Sequence, residues 1–415
     1  MDSRRRAYRI SELGRILQNW DSPVLGDHFG NTITTSKIIN ILVAIQGQNV
    51  VKNSYLKSLS YSGYYLDYLS LKNTYLPLFQ EWGFIDIYDD RIEEIIKSRS
   101  QILDRAYEFW RLHDPHDAEK LAVDIFDPLS LAPLRQDKIE NISRGFDAEI
   151  ITSAKTHLYE AGIIDNFPYK EESWYYSPEI FGEDYPNIIK YISNQTDETK
   201  KDIYGLIEFL RSNQGMPEKT LTESFHGDMV NQLASSGITN AYPIVIDIND
   251  CKFFFTQDIR NSFEVRGKGD QFDLIKLGIS HFRYAHHLAI TPTGRLNLSP
   301  HVFLDHLIEN GRSKSPATAI GRDYNLMVKK GLIKIEKADS SNRYYMVLPD
   351  SREKIADLQA IRDAFEYQEV VPAGDSEIAN SLRNAKEGDS IRYRSRSFVK
   401  NRELSQQFIK DIYLL

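Results

Sequence analysis

Four short stretches of the chain share one pattern: an apolar residue, three variable residues, a glycine and then a strand-like pair. They read Phe79-Gln-Glu-Trp-Gly83-Phe-Ile, Leu158-Tyr-Glu-Ala-Gly162-Ile-Ile, Leu233-Ala-Ser-Ser-Gly237-Ile-Thr and Met327-Val-Lys-Lys-Gly331-Leu-Ile. Glycine adopts the left-handed backbone conformation without a Cβ clash, so it commonly stands just after the last turn of a helix. Each stretch therefore predicts a helix that stops at glycine and a turn into a β-hairpin.

The spacing of the four glycines indicates a repeated unit. They lie 79, 75 and 94 residues apart (162−83, 237−162 and 331−237), and a near-constant period of this kind is typical of repeated modules. A helix that ends at glycine and leads into a two-stranded wing resembles the end of the helix-turn-helix in winged-helix domains. The resemblance implies tandem winged-helix-like modules. Four unrelated helix ends are the alternative.

The sequence predicts a mostly α protein with short β-hairpins, of the α+β class, in which helical connectors join tandem winged-helix-like modules. The polar stretch Asn194–Lys201 predicts a linker, and the N-terminal arm is expected to be largely solvated, with a helix at about Ile10–Trp20. The predicted divisions are a basic N-terminal arm (1–35), module 1 (36–100), a helical connector with module 2 (101–192), module 3 (200–262), a helical connector (263–299), module 4 (300–370) and a basic C-terminal tail (371–415).

The composition is that of a globular protein. Of 415 residues, 41% are hydrophobic and 27% charged, which is ordinary for a folded domain. We expect no membrane span, because no run of about eighteen apolar residues occurs, and no signal segment. The lone cysteine, Cys251, excludes an intramolecular disulfide and a cysteine-based zinc site. A reducing, cytoplasmic setting is the simplest expectation.

Positive charge is concentrated near the C-terminal end of the chain. The net charge is −8. Residues 311–347 hold eight Lys/Arg against three Asp/Glu, and residues 383–410 hold the same numbers. These two stretches together carry +10, which leaves −18 for the remainder. Such a distribution favours directed binding of a nucleic acid at one end over a uniform coating.

Module 4 carries the main candidate site. Ser315 and Pro316 suit the N-cap and first position of a helix that runs on to Lys330. Thr318, Arg322, Asn325 and Lys329, at i, i+4, i+7 and i+11, would form one outward stripe on it, as a recognition helix presents to a major groove. In a major groove, Arg pairs with guanine and Asn with adenine, and wing cations reach phosphates. An ordinary solvated helix face is the alternative. The predicted DNA-binding residues are Ser315, Thr318, Arg322, Asn325, Lys329, Lys330, Lys334, Lys337, Arg343, Arg392, Arg394 and Arg396.

The sequence predicts no catalytic residues, no cofactor and no metal site. His281, His286 and His287 lie on one predicted helix, but adjacent histidines face different sides of a helix and no carboxylate pattern completes a ligand set. His113 and His116 form a loop cluster with the same weakness. Neither a phosphate-binding glycine-rich motif with Lys-Ser/Thr nor a Gly-x-Ser-x-Gly motif occurs.

These observations favour a non-enzymatic DNA-binding protein. It would act as a transcriptional regulator or as the DNA-sensing subunit of a larger complex, for instance in bacterial genome defence. Its partners would be duplex DNA and, through modules 1 to 3, other proteins; a homo-oligomer stays open. Two alternatives remain: a protein-binding winged-helix scaffold similar to the accessory subunits of chromosome-condensing ATPases, and the recognition subunit of a restriction system. All of these functions are inferred by analogy with winged-helix proteins.

Overall fold

The computed structural model describes residues 3–18, 23–45, 50–51, 56, 68–88, 91–96, 99–246, 249–257, 269–289, 294–338 and 342–366. The chain is mostly helical, with small antiparallel sheets, as predicted. The α-helices are α1 Ser3–Leu17, α2 Pro23–Ile45, α3 Tyr68–Ser70, α4 Leu76–Glu81, α5 Arg99–Leu112, α6 Asp117–Leu129, α7 Gln136–Ile142, α8 Ala148–Glu160, α9 Pro178–Phe181, α10 Tyr185–Ser193, α11 Asp197–Ser212, α12 Glu218–Ser224, α13 Gly227–Ser235, α14 Gly269–Arg283, α15 Pro300–Asn310, α16 Thr318–Asp323, α17 Asn325–Lys329 and α18 Arg352–Glu366.

Short strands and two π-helical segments complete the described structure. The strands are β1 Val50–Val51, β2 Ile85–Ile87, β3 Ile92–Glu94, β4 Leu134–Arg135, β5 Asp165–Tyr169, β6 Glu172–Tyr176, β7 Met216–Pro217, β8 Thr239–Ile246, β9 Asn249–Thr256, β10 Lys334–Lys337 and β11 Tyr344–Val347. The π-helical segments are Leu71–Tyr75 and Tyr284–Leu288, and Gly182–Asp184 forms a 3-10 turn.

One sheet topology recurs along the chain. In the first three modules a two-residue strand pairs with the second strand of the following hairpin, which gives the orders β1-β3-β2, β4-β6-β5 and β7-β9-β8. In the fourth module the hairpin is β10-β11, and single bridges from Arg312 to Val347 and from Ala317 to Tyr344 take the place of the short strand. The order helix, short strand, helices and hairpin therefore repeats along the chain.

All four glycines end a helix in the same way, as predicted. Gly83, Gly162, Gly237 and Gly331 have φ values of 68°, 67°, 84° and 70°. In each case the amide after the glycine donates to the carbonyl of the apolar residue four before it, over 2.8 to 2.9 Å. This is the Schellman arrangement, which satisfies helix carbonyls that would otherwise lack partners. The apolar residues on either side of it are buried: Phe79, Leu158, Leu233 and Met327 before, and Phe84, Ile163, Ile238 and Leu332 after.

The described residues form three hydrophobic cores. Module 1 packs around one core, to which α1 contributes Ala7 and Tyr8. Modules 2 and 3 share a second core, to which α1 contributes Ile10, Leu13 and Leu17. Module 4, including its last helix α18, packs with α14 and one face of the β8-β9 hairpin around a third core. Because α1 takes part in two of these cores, it joins module 1 to modules 2 and 3.

The prediction of a basic, solvated N-terminal arm is wrong. Helix α1 begins at Ser3 and packs along its length. Arg5 and Arg9 both donate to the Asp127 carboxylate at the end of α6, and Arg211 from α11 donates to it as well. Asp127 and Arg9 are only 4% and 1% exposed. Since buried charges require partners, these arginines serve to join α1, module 2 and module 3.

The predicted linker at Asn194–Lys201 is also wrong. Helix α11 starts inside it, at Asp197, and the hydroxyl of Thr196 accepts a hydrogen bond from the Thr199 amide. Thr196 is thus an N-cap, the position that Ser, Thr, Asp and Asn favour because they satisfy free amides. The polar run is a helix start, and α10 ends directly before it.

Candidate nucleic-acid interface

The first turn of the predicted recognition helix starts later than expected. Ser315 and Pro316 precede the helix, and the N-cap is Ala317, whose backbone is extended (φ −137°, ψ 149°). The Ala317 amide donates to the Tyr344 carbonyl at 2.9 Å, so this segment is held as a strand against β11. The prediction that Ser315 caps the helix is therefore wrong, because pairing with the hairpin takes precedence over local capping.

Helix α16 packs tightly against the hairpin at Gly321. A Cβ on this glycine would lie 2.3 Å from Cδ2 of Tyr344, closer than any real contact between non-bonded carbon atoms. A side chain at this position would push the helix away from the wing. The glycine thus fixes the distance between the helix and β11, and with it the relative positions of the polar groups that each carries.

The predicted single stripe of four residues is interrupted. Tyr324 leaves the helical conformation (φ −108°, ψ 13°), which separates α16 from α17. Its ring is buried 5.7 Å from that of Phe282 and 5.8 Å from that of His281. Burying this ring in the third core coincides with the break, so the regular i, i+4, i+7, i+11 geometry does not form. The four side chains are nevertheless all exposed: Thr318 and Arg322 on α16, and Asn325 and Lys329 on α17.

The two groups predicted to read bases already have partners within the chain. Arg322 makes a two-point contact with the carboxylate of Asp323, with Nε–Oδ1 and Nη2–Oδ2 distances of 2.6 and 3.2 Å. The side-chain amide of Asn325 donates to the carbonyl of Arg322 at 3.1 Å. Asp323 is buried. Arg322 would have to exchange a charge-assisted pair for a base edge.

Module 4 carries eight Lys/Arg in residues 311–347, which together define what is called its basic surface. All eight are exposed: Arg312, Lys314, Arg322, Lys329, Lys330, Lys334, Lys337 and Arg343. Of the acids in this stretch, Asp323 is buried and Glu336 is exposed, while Asp339 lies outside the described residues. Arg312 stacks over the Tyr345 ring at 4.5 Å, and Lys334 pairs with Asp350 at the surface.

The equivalent helices of modules 2 and 3 lack such a surface. On α8, His157 is buried and its Nδ1 lies 2.6 Å from the Ser153 carbonyl, and Lys155 lies over the ring of Tyr175. Helix α13 contains no Lys or Arg. The positive surface of module 4 is therefore a property of that module and not of the repeated fold.

The predicted tail residues Arg392, Arg394 and Arg396 lie outside the described part of the chain.

No protein-family model, curated protein or solved structure matches the chain.

Three of the histidines considered as metal ligands, His281, His116 and His113, make structural contacts. His281 is buried, with Nδ1 2.8 Å from the Leu277 carbonyl, and faces Tyr324. His116 accepts the Ala118 amide and so caps α6, while His113 stacks on Phe109 at 3.9 Å. In the described part of the chain, no three His, Cys, Asp or Glu side chains converge in a way that would hold a metal ion.

Among the described helices, none combines the length and apolar character needed to cross a bilayer.

Proposed function

We propose that this protein binds duplex DNA without catalysing a reaction, and that it does so mainly through the phosphate backbone. The observation that carries the proposal is the basic surface of module 4, where every one of the eight cations is exposed. Lysine and arginine neutralise phosphates and release condensed counterions, which drives binding that depends little on sequence. A cytoplasmic location belongs to the same proposal.

The partners of Arg322 and Asn325 favour phosphate binding over base readout. Phosphate contacts fix the orientation of a protein on the duplex, whereas base contacts supply specificity. Lys329 is the last residue of α17 and Lys330 follows it as the C-cap, while Lys337 ends strand β10, so both the helix and the wing contribute exposed cations. Only Arg322 and Asn325 would reach for base edges, and both are engaged within the chain. A DNA-sensing subunit fits this arrangement better than a regulator of one operator.

A salt titration of duplex binding tests the proposal. Replacing Lys329 and Lys330 together by Gln should weaken binding to a random-sequence duplex and reduce the slope of log K against log salt by about 0.9 for each phosphate that is no longer neutralised. Fluorescence anisotropy with labelled duplex provides the measurement. The matched control replaces Lys190 and Lys201 by Gln, since both are exposed lysines on the modules without a basic surface.

Equal slopes for the test and control variants would contradict the proposal, as would a wild-type protein that fails to bind duplex at low salt. Arg322→Ala separates the two modes of DNA binding. We expect the variant to bind all members of a pool of duplex sequences more weakly, by similar factors. Base readout predicts instead that the binding free energy is reduced by roughly 1–3 kcal/mol for particular sequences only.

Module 1 favours a second function, that of a protein-binding scaffold. Val50 on β1 and Ile95 just after β3 are exposed by 43% and 46%, and they lie beside the acidic residues Asp86 and Glu93. Exposed apolar side chains among carboxylates are unsuited to DNA and suited to a protein partner. If the wild-type protein does not bind duplex DNA at low salt, protein binding through module 1 becomes the favoured function.

A further inference from the structure

The helix α14 ends in a π-helical turn that carries two adjacent histidines. The segment Tyr284–Leu288 closes with the Ala289 amide donating to the Tyr284 carbonyl at 3.0 Å. Such turns depart from regular helical hydrogen bonding and are frequent at functional sites. The rings of His286 and His287 lie edge to face, 4.6 Å apart. The turn thus presents both imidazoles together, although adjacent residues of a regular helix would diverge.

A buried arginine precedes the turn. Arg283 is only 8% exposed. Its Nε donates to the Gln214 carbonyl at 3.0 Å, and its guanidinium lies 5.0 Å from the centre of the Phe365 ring. Burial lowers the pKa of Arg283 to about 10. Within the described residues no carboxylate pairs with it, which is unusual because buried guanidinium groups normally have an anionic partner.

A second arginine lies next to the same turn. The Leu296 amide donates to the Ala285 carbonyl at 2.9 Å, which places the adjoining Arg295 alongside. Burial and the charges of Arg283 and Arg295 lower the pKa of both imidazoles, and together with His286 they bring the pKa of His287 to about 4. These two cations act on the rings through space, so all four side chains belong to one electrostatic cluster.

The two imidazoles also have unused hydrogen-bonding atoms. His286 Nδ1 and His287 Nε2 are shielded from solvent and have no partner among the described residues. A buried polar atom without a partner costs free energy, and native proteins retain few of them. Two such atoms on the turn that follows a buried guanidinium, which has no carboxylate partner among the described residues, provide the positive charge and the hydrogen-bonding groups that an anion requires.

We propose that Arg283, His286, His287 and Arg295 form a binding site for a phosphate group. Guanidinium groups match the oxygens of phosphate in two-point geometry, and imidazoles donate single hydrogen bonds to the remaining oxygens. The site lies between the turn that holds Gln214 in module 3 and the helix α18 that holds Phe365. It is distinct from the basic surface of module 4. The phosphate belongs either to a small phosphorylated molecule or to a nucleic-acid backbone.

Calorimetric titration of the full chain with inorganic phosphate, and separately with adenosine 5′-monophosphate, tests the site. Arg295→Gln should weaken binding at least tenfold, and Arg295→Lys should restore part of it. Arg295 is exposed and so can be replaced without disturbing a core. His287→Asn should weaken binding too, and the C2 proton resonances of His286 and His287 should shift on addition of phosphate to the wild type.

The control is the Lys329→Gln, Lys330→Gln double variant, which should bind phosphate like the wild type and so separates this site from the proposed DNA surface. Displacement of bound phosphate by a short duplex would assign the site to a nucleic-acid backbone; no displacement would assign it to a small phosphorylated molecule. Phosphate binding that is unchanged in both Arg295→Gln and His287→Asn, or no phosphate binding by the wild type, would overturn the proposal.

Discussion

The N-terminal helix α1 is rich in arginine and module 4 in arginine and lysine, but the two place these charges in opposite environments. In α1, Arg5 and Arg9 converge with Arg211 on the buried carboxylate of Asp127. In module 4 all eight cations of residues 311–347 are exposed. The first group holds three parts of the chain together, whereas the second is accessible to a partner.

The two environments differ because the carboxylates near each group of cations come from different parts of the chain. Asp127 is 118 residues from Arg9 in the chain and 3.1 Å away in space. In module 4 the carboxylate of Asp323 is buried beneath the surface and binds Arg322, its neighbour in the chain. Local charge density is thus a poor guide to surface charge when the compensating acids come from distant segments.

Removing the shared carboxylate should have the largest effect. Asp127→Ala leaves three arginines close together without their buried counter-charge, and breaking a buried pair of this kind costs about 3–5 kcal/mol. Urea unfolding monitored by circular dichroism would measure the decrease in stability. If the cost is under about 1 kcal/mol, the upper value for exposed pairs, the arginines are not held by Asp127. DNA binding of the folded fraction should not change, since module 4 is untouched.

Lowering the pH should reduce the stability of the third core, by less than the loss of Asp127 and by more than the loss of an exposed ion pair. Burial lowers the pKa of His281 to about 4, against about 6.5 for an exposed histidine. Between these values the unfolded chain takes up the proton and the folded chain does not, so stability falls as the pH falls. From pH 7 to pH 5 we expect a decrease of about 2 kcal/mol from this ring.

The pH dependence of unfolding in His281→Gln provides the check. The variant should be less stable at pH 7 but should lose less stability on acidification than the wild type. Identical pH dependence in the two proteins would show that His281 protonates freely in the folded state.

The smallest effect should come from an exposed ion pair that joins α1 to α5. Arg4 contacts Asp104 at 2.8 Å, and both side chains are more than a third exposed. Solvent screens such pairs, so Asp104→Ala should cost at most about 1 kcal/mol. The same urea titration measures it, and the variant serves as the matched control for Asp127→Ala. A cost equal to that of Asp127→Ala would mean that burial does not separate the two sites.

The helix ends were predictable because their signal is local. A glycine with apolar residues before and after it supplies everything a Schellman turn requires, and all four copies formed one. The mostly helical fold with short hairpins follows from the same repeated pattern. Thr196 shows the limit of polarity as a signal, because a polar run is typical both of a linker and of the capped start of a helix.

The candidate site was only partly predictable, for a different reason. The exposure of Thr318, Arg322, Asn325 and Lys329 follows from their polarity. The break at Tyr324 does not, because it accompanies the packing of one ring against Phe282, a residue from another helix. The proposed phosphate site at Arg283 depends on a π-helical turn and on contacts to Gln214 and Phe365, which the spacing of residues cannot reveal.

The β8-β9 hairpin has a practical consequence for dissecting the chain. Side chains alternate along β9, so that Phe254 belongs to the core of modules 2 and 3 while Phe253 and Phe255 belong to that of module 4. A fragment that ends after β9 would expose the rings of Phe253 and Phe255 to water. A fragment that begins after β9 would lack the apolar face of the hairpin that packs in the same core as α14. We expect either fragment to aggregate during purification. A fragment that contains module 4 should therefore include the whole β8-β9 hairpin together with the module before it.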